Sequence, residues 1–340
     1  MPNPSTQAGF APRWTFTEFM QHKEALLASH PNKPIDLTDN RFALAVTPWR
    51  PGPSHLTLPA KAHRCHLAEW WLEAFHLPAE WKPRALICIG VRQALKTMME
   101  QWALQKKVVL IPLDVYPVYH DIARNAGATF RTFATHPSVP SILPAGDVLL
   151  VTNPLKPRAS ALTRQEVDAL LAWLHVASHR RLIIDAVYTL DTCFDTATLA
   201  LYATGQVIVL HSLSKSWAHP LVMGVALMPE NDVPTWSLHF KAQSPSPYNL
   251  TLAQALLTQA PLFPLELAAT LAEAKARLLA LCTERQVPLL DSPPQLARYH
   301  FIVPLPWQHL LASHGILGLP FSVFGGANMN LTIITSLSLL

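Results

Sequence analysis

The sequence predicts an α/β fold, with a large domain built on a mostly parallel central sheet sandwiched by helices and a smaller α+β domain. Three observations carry that expectation. Six short apolar runs, at residues 85–89, 108–111, 148–151, 182–184, 207–210 and 225–228, recur along the middle of the chain. Several segments between them have helical periodicity. Past about residue 245 the texture shifts to longer helical stretches and isolated strand-like runs.

Each element follows from local chemistry. The six runs are apolar throughout and do not alternate, which suits strands covered on both faces of a parallel sheet. After Gly90, apolar side chains fall at Val91, Ala94, Leu95, Met98, Met99 and Trp102, one face of a helix. Thr163 followed by Glu166 is a capping-box signature ahead of Val167, Leu170, Leu171 and Leu174. Alternating strands and helices imply right-handed crossovers. Residues 252–258 and 265–282 read as helices, and 299–303 and 331–335 as strands of a separate layer. The expected division is a large domain at 49–245 and a small domain combining 1–48 with 246–340.

Composition narrows the function. Half of the 340 residues are apolar and 14% are charged, the opposite of a disordered chain. A net charge of +4, from 26 basic and 22 acidic residues, is too small and scattered for a nucleic-acid surface. No apolar run is long enough to span a bilayer. The first residues, MPNPSTQAGFAPRW, lack the basic-then-apolar order of a secretion signal. The four cysteines form no CxxC pair, so a disulfide framework is not expected and a reducing cytoplasm is. The run His63-Arg64-Cys65-His66 has metal-ligand residue types but no second ligand pair, and it reads as surface.

Four features fall at the ends of predicted strands, where open α/β sheets bind ligands. Gly90 joins a strand to a helix, permitting a tight turn that leaves helix N–H groups for an anion. Residues 114–119 (DVYPVY) follow the next strand, and an aromatic ring there can stack on a flat heterocycle. Asp185 ends the strand LII and precedes Ala186, Val187 and Tyr188. A carboxylate in that apolar setting needs a cationic partner, although a helix-capping aspartate has the same look. Ser212-Leu213-Ser214-Lys215 follows the strand VIVL. A lysine beside buried apolar sequence tends towards the neutral amine, the form that attacks an aldehyde, and the two serines offer hydroxyls to phosphate oxygens.

The order of LTDNRF, IGVRQAL, LDVYPVYHDIARNAGA, VTNPLKP, IIDAVY, VIVLHSLSKS, SPYNLTLAQA and LPFSVFG resembles fold type I pyridoxal 5′-phosphate (PLP) enzymes. Within them it is most similar to class I/II aminotransferases of the histidinol-phosphate aminotransferase and threonine-phosphate decarboxylase branch. The resemblance covers residues 35 to 325 and implies the PLP-dependent transferase fold. It implies that Lys215 forms the internal aldimine with PLP and shuttles a proton at the substrate α-carbon. Asp185 would pair with the pyridine nitrogen, Tyr188 would hydrogen-bond the phenolic oxygen, and Tyr116 would stack on the ring. Gly90, the Val91 amide, Ser212 and Ser214 would hold the phosphate. His55 would reach the phosphate of a neighbouring subunit in a homodimer.

Three departures qualify the resemblance. The family's NPxNPTG reads Asn153-Pro154-Leu155-Lys156-Pro157-Arg158-Ala159, which puts Lys156 where an asparagine usually touches the phenolic oxygen. The arginine that the family usually places eight residues after the lysine to clamp the phosphate is absent from the run after Lys215; Arg92, or else His219, is the expected substitute. The arginine that usually binds the substrate carboxylate is missing, and Asn330 stands near its place. Asparagine cannot make that planar bidentate clamp. The expected activity is therefore an aminotransferase with an unusual small-molecule amino substrate or peptide amine. Decarboxylation, elimination or oxidation on the same scaffold, and a degenerate binding subunit, are the alternatives.

Overall fold

A computed structural model describes residues 14–31, 33–38, 60–190, 192–219, 223–290, 299–326, 328 and 330–340, with side chains of the helix at 60–74 described from residue 66. His55 and the 63–65 part of the histidine-rich run lie outside what is described at side-chain level.

The first described elements are helix α1 (Phe16–Ser29) and strand β1 (Ile35–Asp36). Helix α2 (Ala60–Ala74) leads into β2 (Ala85–Cys88), α3 (Val91–Leu104), β3 (Val108–Pro112), α4 (Val118–Asn125) and β4 (Thr129–Phe133). The pattern continues with β5 (Val148–Thr152), α5 (Arg164–His175), β6 (Arg181–Asp185), α6 (Thr196–Tyr202), β7 (Val207–Ser212), the short α7 (Leu213–Ser216) and β8 (Gly224–Leu227). Helices α8 (Val233–Ala242), α9 (Pro247–Gln259) and α10 (Phe263–Glu284) follow. The chain ends in β9 (His300–Val303), α11 (Trp307–His314), β10 (Ile316–Leu317), β11 (Leu319–Pro320) and β12 (Thr332–Thr335).

All six apolar runs are strands of one seven-stranded sheet, ordered β2-β8-β7-β6-β5-β3-β4. The pairs among β4, β3, β5, β6 and β7 are parallel, and β8 runs antiparallel to both β7 and β2. Strands β2, β3, β5, β6 and β7 therefore share one direction, and their C-terminal ends share one edge. The central strands are buried on both faces, as their uniform apolarity requires. Leu149, Val151, Ile184 and Val209 face α2, α5 and α9; Val109, Leu150, Ile183 and Ile208 face α3, α4 and α8. Glu166 completes the capping box of α5, and its buried carboxylate also accepts from the Val139 amide and pairs with Arg158.

The C-terminal third builds a second, three-stranded sheet, β11-β12-β9, all antiparallel. Its Ile302 and Ile333 pack with Phe19 of α1, while Phe301 and Ile334 pack with Leu278 of α10. Strand β1 pairs in parallel with β10, and Lys23 of α1 binds Asp36 at 2.6 Å, which joins the N-terminal segment to this layer. Among the described residues no single helix is long and apolar enough to cross a membrane.

Candidate active site

The shared strand edge gathers the expected residues. Asp185 is the last residue of β6, in register with Thr152 of β5 and Leu210 of β7. It is 3% exposed. Its Oδ2 accepts the Tyr119 hydroxyl at 2.8 Å, and its Oδ1 accepts the Val187 amide at 3.0 Å. Burial nevertheless outweighs these donors and raises its pKa from 3.8 to about 6, with Lys156 and Arg92 opposing the rise. Such a carboxylate has both oxygens oriented and, among the described residues, lacks a contacting cation. Tyr119 shifts in the same sense: burial first, then the Asp185 charge, pushes its hydroxyl well above its ordinary range. The hydroxyl therefore remains a proton donor.

Lys215 lies in α7, immediately after β7, and its Nζ is 5.6 Å from the centroid of the Tyr188 ring. Burial and then Arg92 lower its pKa, favouring the neutral amine. Tyr188 is itself pushed up to about 12, chiefly by burial, so its phenol stays protonated.

The opposite flank of α7 is tied down by a buried network. The Trp71 indole N–H donates to His211 Nδ1 at 3.2 Å. Because an indole can only donate, the His211 proton resides on Nε2, which lies 3.0 Å from the Ser216 hydroxyl and 3.4 Å from the Thr189 carbonyl. Burial lowers the His211 pKa to about 3.

The anion end of the site is assembled by β2, β7 and β8. Gly90 precedes α3 and supplies no capping side chain, so first-turn amides of this 14-residue helix are open to an external acceptor. Ser212 donates its hydroxyl hydrogen to Ser214 at 3.2 Å. Gly224 opposes both Cys88 and Ser212 in the sheet. A β-carbon there would approach the His211 carbonyl oxygen to 2.9 Å and the Val91 amide nitrogen to 3.3 Å, so glycine allows the α3 start to close on β7. Arg92 follows Val91, exposed, with its guanidinium carbon 5.9 Å from the Tyr116 ring centroid. His219 donates its amide to the Ser214 carbonyl at 3.0 Å.

Two expected positions have unexpected surroundings. The Asn153 amide nitrogen is engaged with Asp195, the N-cap of α6, at 2.9 and 3.0 Å and with Thr198 at 2.8 Å. Its backbone N–H donates to the Asp185 carbonyl at 3.0 Å, and its side-chain oxygen is buried without a partner. Lys156 is 7% exposed. Its Nζ lies between two aromatic rings, 3.6 Å from the Tyr188 centroid and 4.0 Å from that of Tyr299, and it hydrogen-bonds the Tyr299 hydroxyl. Burial, then Lys215, drives its pKa well below the usual lysine value. Asn330 is exposed, precedes β12, and donates its amide to Asn328 Oδ1 at 2.9 Å.

Sequence reasoning did not assign Tyr119 or Tyr299 to the site. Tyr119 belongs to the DVYPVY segment, but nothing local links it to Asp185. Tyr299 opens a recognised strand run, and only the packing of the second sheet against the first brings it to Lys156.

This donor set fits PLP. Among the described residues the buried carboxylate lacks a contacting cation, the amine is biased towards its neutral form, and uncapped helix amides lie beside a pair of serine hydroxyls. No curated protein sequence matches the chain. Solved structures do: an Escherichia coli protein identified with a methionine aminotransferase function has 17% identity and a TM-score of 0.71, covering 96% of each chain. A Thermus thermophilus aspartate aminotransferase double mutant has 15% identity and a TM-score of 0.70, over 97% of this chain and 93% of its own. A histidinol-phosphate aminotransferase-like structure from Erwinia carotovora has 16% identity and a TM-score of 0.66, over 89% and 91%. These likenesses show the fold. The family model described as "Aminotransferase class I and II" matches residues 56–331. With a match over most of its length, the chain belongs to the class I and II aminotransferases, a family of PLP-dependent enzymes.

Proposed function

We propose that Lys215 bonds PLP covalently and that the enzyme transaminates a small amino substrate, or a peptide amine, that the usual C-terminal arginine does not bind. The observations that carry this are a half-buried Lys215, its pKa lowered by burial and 5.6 Å from the Tyr188 ring, together with the buried carboxylate of Asp185, whose oxygens Tyr119 and Val187 orient. When bound, PLP supplies an electron sink for negative charge developing at the substrate α-carbon. Asp185 provides the anion that keeps a cationic ring nitrogen protonated, and Tyr119 and Val187 fix its two oxygens. Lys215 moves a proton at the α-carbon. Tyr188 offers its hydroxyl to the phenolic oxygen, and Tyr116 covers a ring face. The α3 amides, Ser212 and Ser214 hold the phosphate, with Arg92 as the neighbouring cation.

Asn330 supports the atypical substrate, since an exposed neutral amide offers no charge to a carboxylate. The same reading includes a homodimer in which His55 reaches the partner's site, a large domain at 49–245 completed by 1–48 and 246–340, and a cytoplasmic enzyme. The three cysteines free of disulfides among the described residues suit that compartment.

The test is spectral. Purified protein carries a visible PLP absorbance that is lost in Lys215→Ala, and an amino donor converts the bound cofactor to its pyridoxamine form. Release of carbon dioxide, ammonia or peroxide without that conversion would move the assignment to another PLP reaction.

A further inference from the structure

We infer that His211 and Ser216 are positioning residues for Lys215, joining the turn that bears the amine to the turn that bears Asp185 and Tyr188. This rests on the PLP reading above and adds to it the device that aligns the two halves of the site.

Helix α7 has little strength of its own. It spans only Leu213–Ser216, and its N-cap, Ser212, makes no side-chain capping bond. A single helical turn does not hold its shape in water, so its conformation comes from what its buried side chains touch. Leu213, Ser216 and Trp217 share one helix face and are fully buried, while Lys215 is half-buried. The Trp217 indole donates to the Ala260 carbonyl at 2.9 Å, which ties α7 to the end of α9. Ser216 makes a second tie, and that one runs towards Asp185.

The Ser216 hydroxyl donates to the Thr189 carbonyl at 3.0 Å. Thr189 closes the turn after β6: its amide donates to the Ala186 carbonyl at 2.9 Å, and the Ala186 amide donates to the Leu210 carbonyl of β7 at 2.8 Å. Asp185 enters that turn and Tyr188 immediately precedes Thr189, so one carbonyl reports the place of both. His211 holds Ser216 to it. The imidazole is fully buried, with the Phe75 ring edge-on at 4.5 Å and Phe194 at 6.1 Å, which leaves the ring no room to turn away. The chain donates in one direction, from the Trp71 indole to His211 Nδ1, from His211 Nε2 to Ser216, and from Ser216 to Thr189. Its ends enforce that direction, because an indole cannot accept and a carbonyl cannot donate. Apolar packing of the same volume would fill the space, but only directional bonds fix the orientation of the turn. The separation between the amine and the carboxylate is thus set from behind the site. A misplacement of about 1 Å there slows a reaction about 100-fold.

The experiment compares Ser216→Ala and His211→Phe with the wild type by two readings. One is the rate at which PLP-free protein takes up added PLP, followed by absorbance. The other, made without PLP, is the pH at which acetic anhydride acetylates Lys215, located by peptide mass. Uptake slows by about 10- to 100-fold in each variant, and the double variant is no slower than the slower single, as expected for links of one chain. Acetylation of Lys215 moves to higher pH, because a loosened α7 relieves the burial that lowers its pKa. His211→Gln, which keeps a donor and an acceptor, recovers most of the uptake rate. Trp173→Phe, which removes the buried indole bond to the Pro144 carbonyl, lowers the urea midpoint without moving either reading. Ser216→Ala carries the test where the histidine variant does not fold. Variants that denature earlier in urea yet keep the wild-type uptake rate and acetylation pH overturn the inference, as do single effects that add in full. A wild type that takes up no PLP sinks the cofactor reading instead, and the acetylation measurement still decides the positioning.

Discussion

Single residues decide how this site stores charge. The folded-state pKa of Asp185, about 6 against 3.8, is raised by burial. Its stabilising contribution is thus complete below the unfolded value and is lost as pH rises through 6. In PLP-free protein, the wild type should lose up to about 3 kcal/mol relative to Asp185→Asn between pH 4 and pH 7, read by urea denaturation. Loading PLP should flatten that difference, because a cationic ring nitrogen restores the carboxylate's partner. Tyr119→Phe should remove a buried charge-assisted bond, costing about 1.5–3 kcal/mol, and raise the Asp185 pKa further; the same denaturation series would show its midpoint displaced upward. Lys215, Asp185 and Tyr188 were legible in the sequence because each follows an apolar run that had to end at the sheet edge. Tyr119 and Tyr299 were not, since their partners are 66 and 143 residues away.

At the level of elements, what could be read was what burial dictates. The six central strands and the capped α5 follow from apolar continuity and from one Thr–Glu spacing. Strand β4 (TFRTF) escaped notice because it is an edge strand whose side chains are mostly exposed or half-buried, so no apolar run marks it. Nor does a run of residues reveal direction, and β8 proves antiparallel although its composition matches its parallel neighbours. That reversal makes Gly224 a point of close approach. Gly224→Ala should cost about 1–3 kcal/mol through overpacking, and it should weaken PLP retention on dialysis by displacing the Val91 amide. Glu166→Ala should cost about 3–5 kcal/mol by stranding Arg158 and uncapping α5 together, measured by chemical denaturation.

For the molecule as a whole, the N-terminal segment serves the far end of the chain. Phe19 is fully buried against the β11-β12-β9 layer, and β1 pairs with β10 in a separate two-stranded sheet. Phe19→Ala should therefore lower stability by about 3–5 kcal/mol. It should also reduce turnover, because Tyr116 packs in the same cluster; thermal melts with and without PLP would separate the two effects. The sequence indicated two textures, but the pairing of β1 with β10 joins residues whose local patterns carry no mutual signal.

The Trp71–His211–Ser216 chain has a consequence for how the enzyme meets acid. With a pKa near 3, His211 is uncharged at neutral and mildly acidic pH, and its links to Trp71, Ser216 and Thr189 are neutral. The footing of Lys215 is thus electrically silent, with Trp71, His211 and Ser216 all fully buried. Mild acidification should alter the ligand-facing wall, Asp185 foremost, while leaving the mounting of the lysine unmoved.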